Sequence, residues 1–217
     1  QCAFTGNTAA GEGGAIAFTY GGWRNAVTRS TFTGNDAAQG SAIASDNGYW
    51  GGPFVVENCL IYGNTGAANT YAVYSHGNRE APVYGLDMAY TTVAHNNGGV
   101  YNDALGVGSR DLRIRNSVIA FNGGTEVVAS GGAPVLDAND VYDTSGDLYG
   151  GSAVGQATNS ISADPFFNDV GAGDYRLISG SDAEDAAPDI GIAEDIDGTA
   201  RPVGAGYDMG AYEGAVL

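Results

Sequence analysis

Five times along the chain a large apolar residue stands three positions ahead of an Asn: Phe4, Phe32, Ile61, Val93 and Ile119 precede Asn7, Asn35, Asn64, Asn96 and Asn122. Five positions ahead stand the small residues Cys2, Ser30, Cys59, Thr91 and Ser117. Eight ahead stand Val27, Val56, Met88 and Ile114, and ten ahead, in the last three copies, Phe54, Leu86 and Leu112. The residues between are mostly polar or small, such as Thr28, Glu57, Arg113 and Arg115. This alternation predicts strands with one buried face. The Asn intervals are 28, 29, 32 and 26 residues, a period that marks a solenoid.

Each repeat carries a second apolar segment: Gly13-Gly-Ala-Ile-Ala17, Gly40-Ser-Ala-Ile-Ala44, Tyr71-Ala-Val-Tyr74, Gly99-Val-Tyr101 and Glu126-Val-Val128. Short strands with Gly and Asn at the corners describe one coil of a parallel β-helix. No window sustains a helical apolar period, and 36 Gly residues penalise helix throughout. The Asn column reads as structural: Asn tolerates a left-handed backbone, and amides stacked about 4.8 Å apart can bond in a ladder. A sixth copy follows with Leu136, Asn139 and Val141 in place and Thr144 where the Asn would stand. The expectation is an all-β solenoid of about six to seven coils. Residues 1–145 form the coils, and 146–217 the last coil and a capping region.

Phe4-Thr-Gly-Asn7 with Gly13-Gly-Ala-Ile16, repeated as Phe32-Thr-Gly-Asn35 with Gly40-Ser-Ala-Ile43, resembles polymorphic outer-membrane-protein repeats. Those build right-handed parallel β-helices on bacterial surfaces. Ala163-Asp-Pro-Phe-Phe167, Gly173-Asp-Tyr-Arg-Leu177, Asp195-Ile-Asp-Gly198, Arg201-Pro202 and Asp208-Met-Gly-Ala-Tyr-Glu213 resemble the end region of secreted, choice-of-anchor β-helix proteins. Where that group usually reads Pro-Ala-Ile-Asp-Ala-Gly, this chain has Asp182-Ala-Glu-Asp-Ala-Ala187. The resemblance implies a right-handed parallel β-helix at an extracellular or cell-surface location, with no single activity attached.

Composition narrows the partners. The net charge is −17, there is no Lys, and the eight bases are all Arg. Nucleic acid and anionic membrane surfaces are therefore disfavoured, since phosphate binding needs clustered cations. Residues 137–217 hold a net charge of −14 against −3 for residues 1–136, so the expected cap is acidic. No apolar run is long enough to span a membrane. The chain starts inside a repeat, which suggests preceding coils, a removed leader, or a second subunit stacked end to end. Cys2 and Cys59 share a column two coils apart, about 9.6 Å, beyond disulfide reach. Both read as small buried column residues, with an intermolecular bond through Cys2 as the alternative.

The search for chemistry is less productive. Asp87 with Arg113, and Glu57 with Arg115, share outward columns and read as surface pairs. The outward columns show no paired carboxylates for hydrolysis and no lyase set. His76, in Ser75-His-Gly-Asn-Arg79, reads first as a loop residue and second as catalytic; His95 stands where other coils have a corner Gly. No catalytic residue is assigned. No cofactor is required, and the best metal candidate is Ca²⁺ held by Glu194, Asp195 and Asp197 ahead of Gly198. The bland reading there is a solvated acidic turn. Asp137, Asp140, Asp143 and Asp147 form a second acidic run that strand spacing would scatter. Tyr20, Trp23, Tyr49, Trp50, Tyr71, Tyr74, Tyr84 and Tyr101 fall in or near the Gly-rich segments after the second strand, a surface for glycan or protein. The resulting expectation is a non-catalytic structural or adhesive surface protein, able to self-associate into a fibre. A carbohydrate-active enzyme or glycan-binding module is the alternative.

Overall fold

A computed structural model describes residues 1–19, 25–46, 53–67, 70–76, 85–103 and 112–216. The chain winds as a parallel β-helix with three sheets of six strands each. The first sheet stacks Cys2–Thr5, Ser30–Thr33, Leu60–Tyr62, Thr92–Ala94, Val118–Ala120 and Asp140–Tyr142. The second stacks Ile16–Thr19, Ile43–Asp46, Val73–His76, Val100–Asp103, Val127–Ser130 and Tyr149–Gly151. The third stacks Asn25–Thr28, Phe54–Glu57, Leu86–Ala89, Leu112–Arg115, Val135–Asp137 and Ala157–Thr158. We number the coils one to six by their strand in the first sheet.

The apolar columns pair as the repeat spacing requires. Phe4 lies beside Phe32, Phe32 beside Ile61, Ile61 beside Val93, Val93 beside Ile119, and Ile119 beside Val141. The Phe4 and Phe32 rings stack 4.7 Å apart at 2°. Val56, Met88, Ile114 and Leu136 line the third sheet's inner face. Each such side chain, wholly buried, contributes about 1.5–3 kcal/mol. Each inner coil is sandwiched by its neighbours, so the core is continuous along the axis.

The Asn column forms a side-chain ladder inside the first corner. Nδ2 of Asn7, Asn35, Asn64 and Asn96 donates to Oδ1 of the Asn on the next coil at 2.8–2.9 Å. The backbone N–H of each donates to the same oxygen at 2.9–3.0 Å. The left-handed position is not the Asn but the residue before it: Gly6, Gly34, Gly63, His95 and Phe121 all have φ between 55° and 65°. The Asn is chosen for its amide.

Thr144 does not continue the ladder. Glu126 does: its carboxylate accepts from Asn122 N–H at 2.8 Å and from Asn122 Nδ2 at 2.5 Å. It ends the ladder with two acceptors and no donor. The small column forms a second ladder at another corner. Cys59 N donates to Thr91 Oγ1, Thr91 N to Ser117 Oγ, Ser117 N to Asn139 Oδ1, and Asn139 N to Ser160 Oγ. Cys59 is buried there and its thiol is pushed up to about 12 by burial, whereas Cys2, expected to be buried, is exposed.

The C-terminal region does not sit over the end of the stack. Residues 163–216 double back and run along the outer face of the first sheet, from Asp140 in coil six to Gln1 in coil one. Leu60, Ala94, Val118 and Ala120 point outward from that sheet, and the strap buries them under Tyr175, Leu177, Ala183, Ile196, Met209 and Ala211. A buried polar knot holds the strap. Arg201 meets Glu213 at 2.6 Å, donates to Asn58 Oδ1 at 3.3 Å, and lies 4.0 Å over the Tyr90 ring. Asp208 accepts from the N–H of Asp185 and Gly214, each at 2.8 Å. Arg201 and the Asp208–Glu213 motif, both singled out from the sequence, therefore supply this knot.

Three buried carboxyls give the fold a pH dependence. Burial pushes Asp140 and Glu126 up to about 7 and Asp208 up to about 6; nearby Asp182 and Asp164 add to the effect on Asp140. Each folded-state value lies above the unfolded one, near 4. Between about pH 4 and 7 the folded chain thus binds more protons than the unfolded chain, and stability falls as pH rises. Partial desolvation lowers His95 and opposes this below about pH 6.5, but it is a single group. The melting temperature should be higher at pH 5 than at pH 8, and Asp140→Asn should raise it at pH 8. A melting temperature that climbs with pH across this window would contradict the assignment.

Candidate functional site

The outer face of the second sheet carries accessible aromatic and acid–base side chains. Two columns face outward there. One runs Ala17, Ala44, Tyr74, Tyr101, Val128; the other runs Thr19, Asp46, His76, Asp103, Ser130. Alternation along each strand puts both columns on the same face. Tyr74 and Tyr101 follow Val73 and Val100, whose side chains are buried in the core. The tyrosines are therefore held by strands, not by the loops the sequence suggested.

Tyr74 and Tyr101 stack at 5.2 Å and 5°, and Tyr71 meets Tyr101 at 5.0 Å. His76 sits edge-on to Tyr74 at 4.9 Å. Coil two has Ala44 where coil three has Tyr74, and a hollow of about 200 Å³ is lined by Gln39, Thr70, Tyr71, Tyr74 and Tyr101. Burial first, then the charges of Asp103 and Glu12 and the neighbouring Tyr101, push the Tyr74 phenol up to about 12, so it stays a neutral hydrogen-bonding group.

Around His76 stand two carboxylates: Asp103 at 3.6 Å from Nδ1 and Glu12 at 3.9 Å from Nε2. Asp46 is the register partner of His76 on the coil before. The outward column thus sets acids on either side of an imidazole, an arrangement the sequence reading did not single out. His76 is a strand residue and not a loop residue. Aligning the second segments would have shown it: Asp46, His76 and Asp103 each stand three positions after Ile43, Val73 and Val100.

The other predicted sites behave differently. Trp23, Tyr49 and Trp50, with Tyr20, Tyr84 and residues 77–79, lie outside the described residues. Glu194, Asp195 and Asp197 do not converge. Glu194 pairs with Arg29 at 2.8 Å and Asp197 with Arg176 at 2.7 Å. Asp195, buried, accepts from the N–H groups of Asp197, Thr199 and Glu213 at 2.7–3.0 Å. It closes the turn and braces the knot. Among the described residues no group of three or more His, Cys, Asp or Glu is placed to hold a metal ion. His95, exposed beside the strap, has Nδ1 3.3 Å from the Tyr175 hydroxyl and its ring stacked on Phe121. On the third sheet Arg113 forms a two-pronged pair with Asp87, and Arg115 reaches Asp87 at 3.6 Å; the expected link from Arg115 to Glu57 gives way to it.

Flat rings, an amide and a hydroxyl around a shallow hollow suit a ligand that combines an apolar face with hydroxyl groups. Among the described residues no helix is long and apolar enough to cross a membrane. No protein-family model matches the chain, and no curated protein matches it.

Proposed function

We propose that this chain is a non-catalytic, extracellular structural and adhesive solenoid that holds glycan against the tyrosines of its second sheet. The observation that carries the reading is the packed set Tyr71, Tyr74 and Tyr101 bordering an open hollow on a rigid outer face. A pyranose presents an apolar face to a ring and hydroxyls to polar groups, and the hollow supplies both kinds of partner. The side of a solenoid is also a continuous surface, as adhesion requires. Self-association into a fibre belongs to the same reading, and elongated particles in negative-stain images test it.

A glycan panel probed with the wild-type chain and with a Tyr74→Ala, Tyr101→Ala variant tests the site. Both side chains are partly exposed, so the fold should survive. Affinity for the bound glycans should fall about tenfold or more, as for loss of aromatic anchors elsewhere. Unchanged binding would remove the tyrosines from the site, and no binding to any glycan would remove the reading.

A carbohydrate-active enzyme is favoured by one observation, the column Asp46, His76, Asp103 on three successive coils. Two coil rises separate the outer carboxylates by about 9.6 Å, at the upper edge of the roughly 6.5–9.5 Å of inverting hydrolysis. The imidazole between them occupies the place a water would need. A screen for new reducing ends or unsaturated uronides, with and without Ca²⁺, decides it. Turnover abolished by Asp103→Asn would support the enzyme, and no turnover on any polysaccharide would discard it.

A further inference from the structure

A second hollow of about 220 Å³ adjoins the first. It is lined by Thr70, Tyr71, Asn97, Gly98, Thr125 and Asp147, among others, and it shares Thr70 and Tyr71 with the tyrosine hollow. Joined, the two reach the size of a small-ligand site, roughly 300–1,000 Å³. The lining advances one coil at a time. Gln39 comes from coil two, Tyr71 from coil three, Asn97 from coil four, Thr125 from coil five and Asp147 from coil six. The depression therefore follows the solenoid axis, along the corner where each coil passes from the Asn ladder into the second sheet.

Its floor is backbone. A Cβ on Gly98 would lie 2.5 Å from Thr70 O, and one on Gly123 would lie 2.7 Å from Asn97 O. Successive coils touch so closely there that no side chain fits, which keeps the floor low between the tyrosines and the opposite wall. Thr70 Oγ1 donates to Ala38 O at 3.0 Å and Asn97 Nδ2 to Gly66 O at 2.7 Å, so the wall is braced from coil to coil. Of the described residues lining the two hollows, Asp147 alone is charged.

Resting on the glycan reading above, we infer that the ligand is an extended, neutral, linear polysaccharide lying parallel to the solenoid axis, with one sugar residue per coil. The coils rise by about 4.8 Å each, close to the advance of one ring in an extended hexose chain. A straight polymer can therefore stay in step with the coils along the groove. A helically coiled or branched one would leave the groove within a residue or two. Coils two and four offer an amide, coil three a phenol, coil five a hydroxyl and coil six a carboxylate, so the polymer is read by its shape, with stacking where coils three and four present tyrosines.

Calorimetric titration tests this with β-1,4-linked gluco-oligosaccharides from dimer to hexamer, and with the α-1,4-linked series as the bent comparison. Affinity for the β-linked series should rise about tenfold or more from dimer to pentamer and then level off. Gln39→Ala and Asp147→Ala change exposed residues at the two ends. Each should weaken the pentamer several-fold and by more than it weakens the dimer. Equal affinity for dimer and pentamer, or an equal response to the α-linked series, would overturn the axial register while leaving glycan binding in place. No binding to either series, with binding to other glycans on the panel, would overturn the choice of polymer. Silence across the whole panel would remove the glycan reading itself.

Discussion

Replacing Arg201 with Met should cost the protein about 3–5 kcal/mol, the range found when one member of a buried ion pair is removed. The guanidinium is buried and meets Glu213, the carbonyls of Asp208 and Gly210, Asn58 Oδ1 and the Tyr90 face. Glu213 Oε1 and Oε2 also accept from Val203 N–H and Asp208 N–H, so the carboxylate would be left ionised and buried with only backbone partners. The loss should be local first. Residues 163–216 bind the coils through this knot, while the coils hold one another through their own ladders. Limited proteolysis should therefore cut the strap before the solenoid, and far-ultraviolet circular dichroism should keep its strand signal. Adding Glu213→Gln should recover much of the loss, since the orphaned charge is then gone. A single variant as stable as wild type in urea would show that the pair does not hold the strap.

Breaking the Asn ladder at its centre should be comparably severe. Asn64→Ala removes the oxygen that accepts from both Asn35 N–H and Asn35 Nδ2, and the amide that donates to Asn96 Oδ1, Phe32 O and Tyr62 O. Two buried donors lose their partner and a cavity opens. Unsatisfied buried groups cost about 1–3 kcal/mol each, so a loss of about 3–5 kcal/mol is expected. That corresponds to roughly 10 °C in melting temperature for a domain of this size. Asn7→Ala provides the contrast. Asn7 is exposed and no Asn donates to its oxygen among the described residues, so its replacement should cost under about 1 kcal/mol. Equal losses at Asn7 and Asn64 would show that the amides act singly and not as a ladder.

Much of this architecture was legible because a solenoid repeats its constraints. The Phe4, Phe32, Ile61 column is visible in the sequence for the same reason that it packs: each coil must present the same apolar position to the next. The strap was less legible. Its acidic composition suggested a terminal cap, whereas its fold is set by four buried polar residues, Asp195, Arg201, Asp208 and Glu213, that satisfy one another and local backbone. A signal for its position was present. Leu60-Ile-Tyr62 and Val118-Ile-Ala120 do not alternate, while Leu112-Arg-Ile-Arg115 does. Strands without alternation are covered on both faces, and the covering element here is the strap. Glu126 was missed because it ends the ladder from within the following strand approach, four residues after Asn122, where the repeat offers no Asn column to compare. The acid–base column was less legible because His76 precedes Gly77-Asn78 in the sequence, a pairing that reads as a loop.

The central claim, that the tyrosine face of the second sheet holds glycan, is tested most directly by aromatic carbon–proton NMR on tyrosine-labelled protein titrated with a β-1,4-linked gluco-hexaose. The account predicts that Tyr71, Tyr74 and Tyr101 shift together and saturate at one concentration, while Tyr90, Tyr175 and Tyr212, packed between strap and coils, stay in place. Shifts confined to the strap tyrosines, or none in Tyr71, Tyr74 and Tyr101 at saturation, would contradict it.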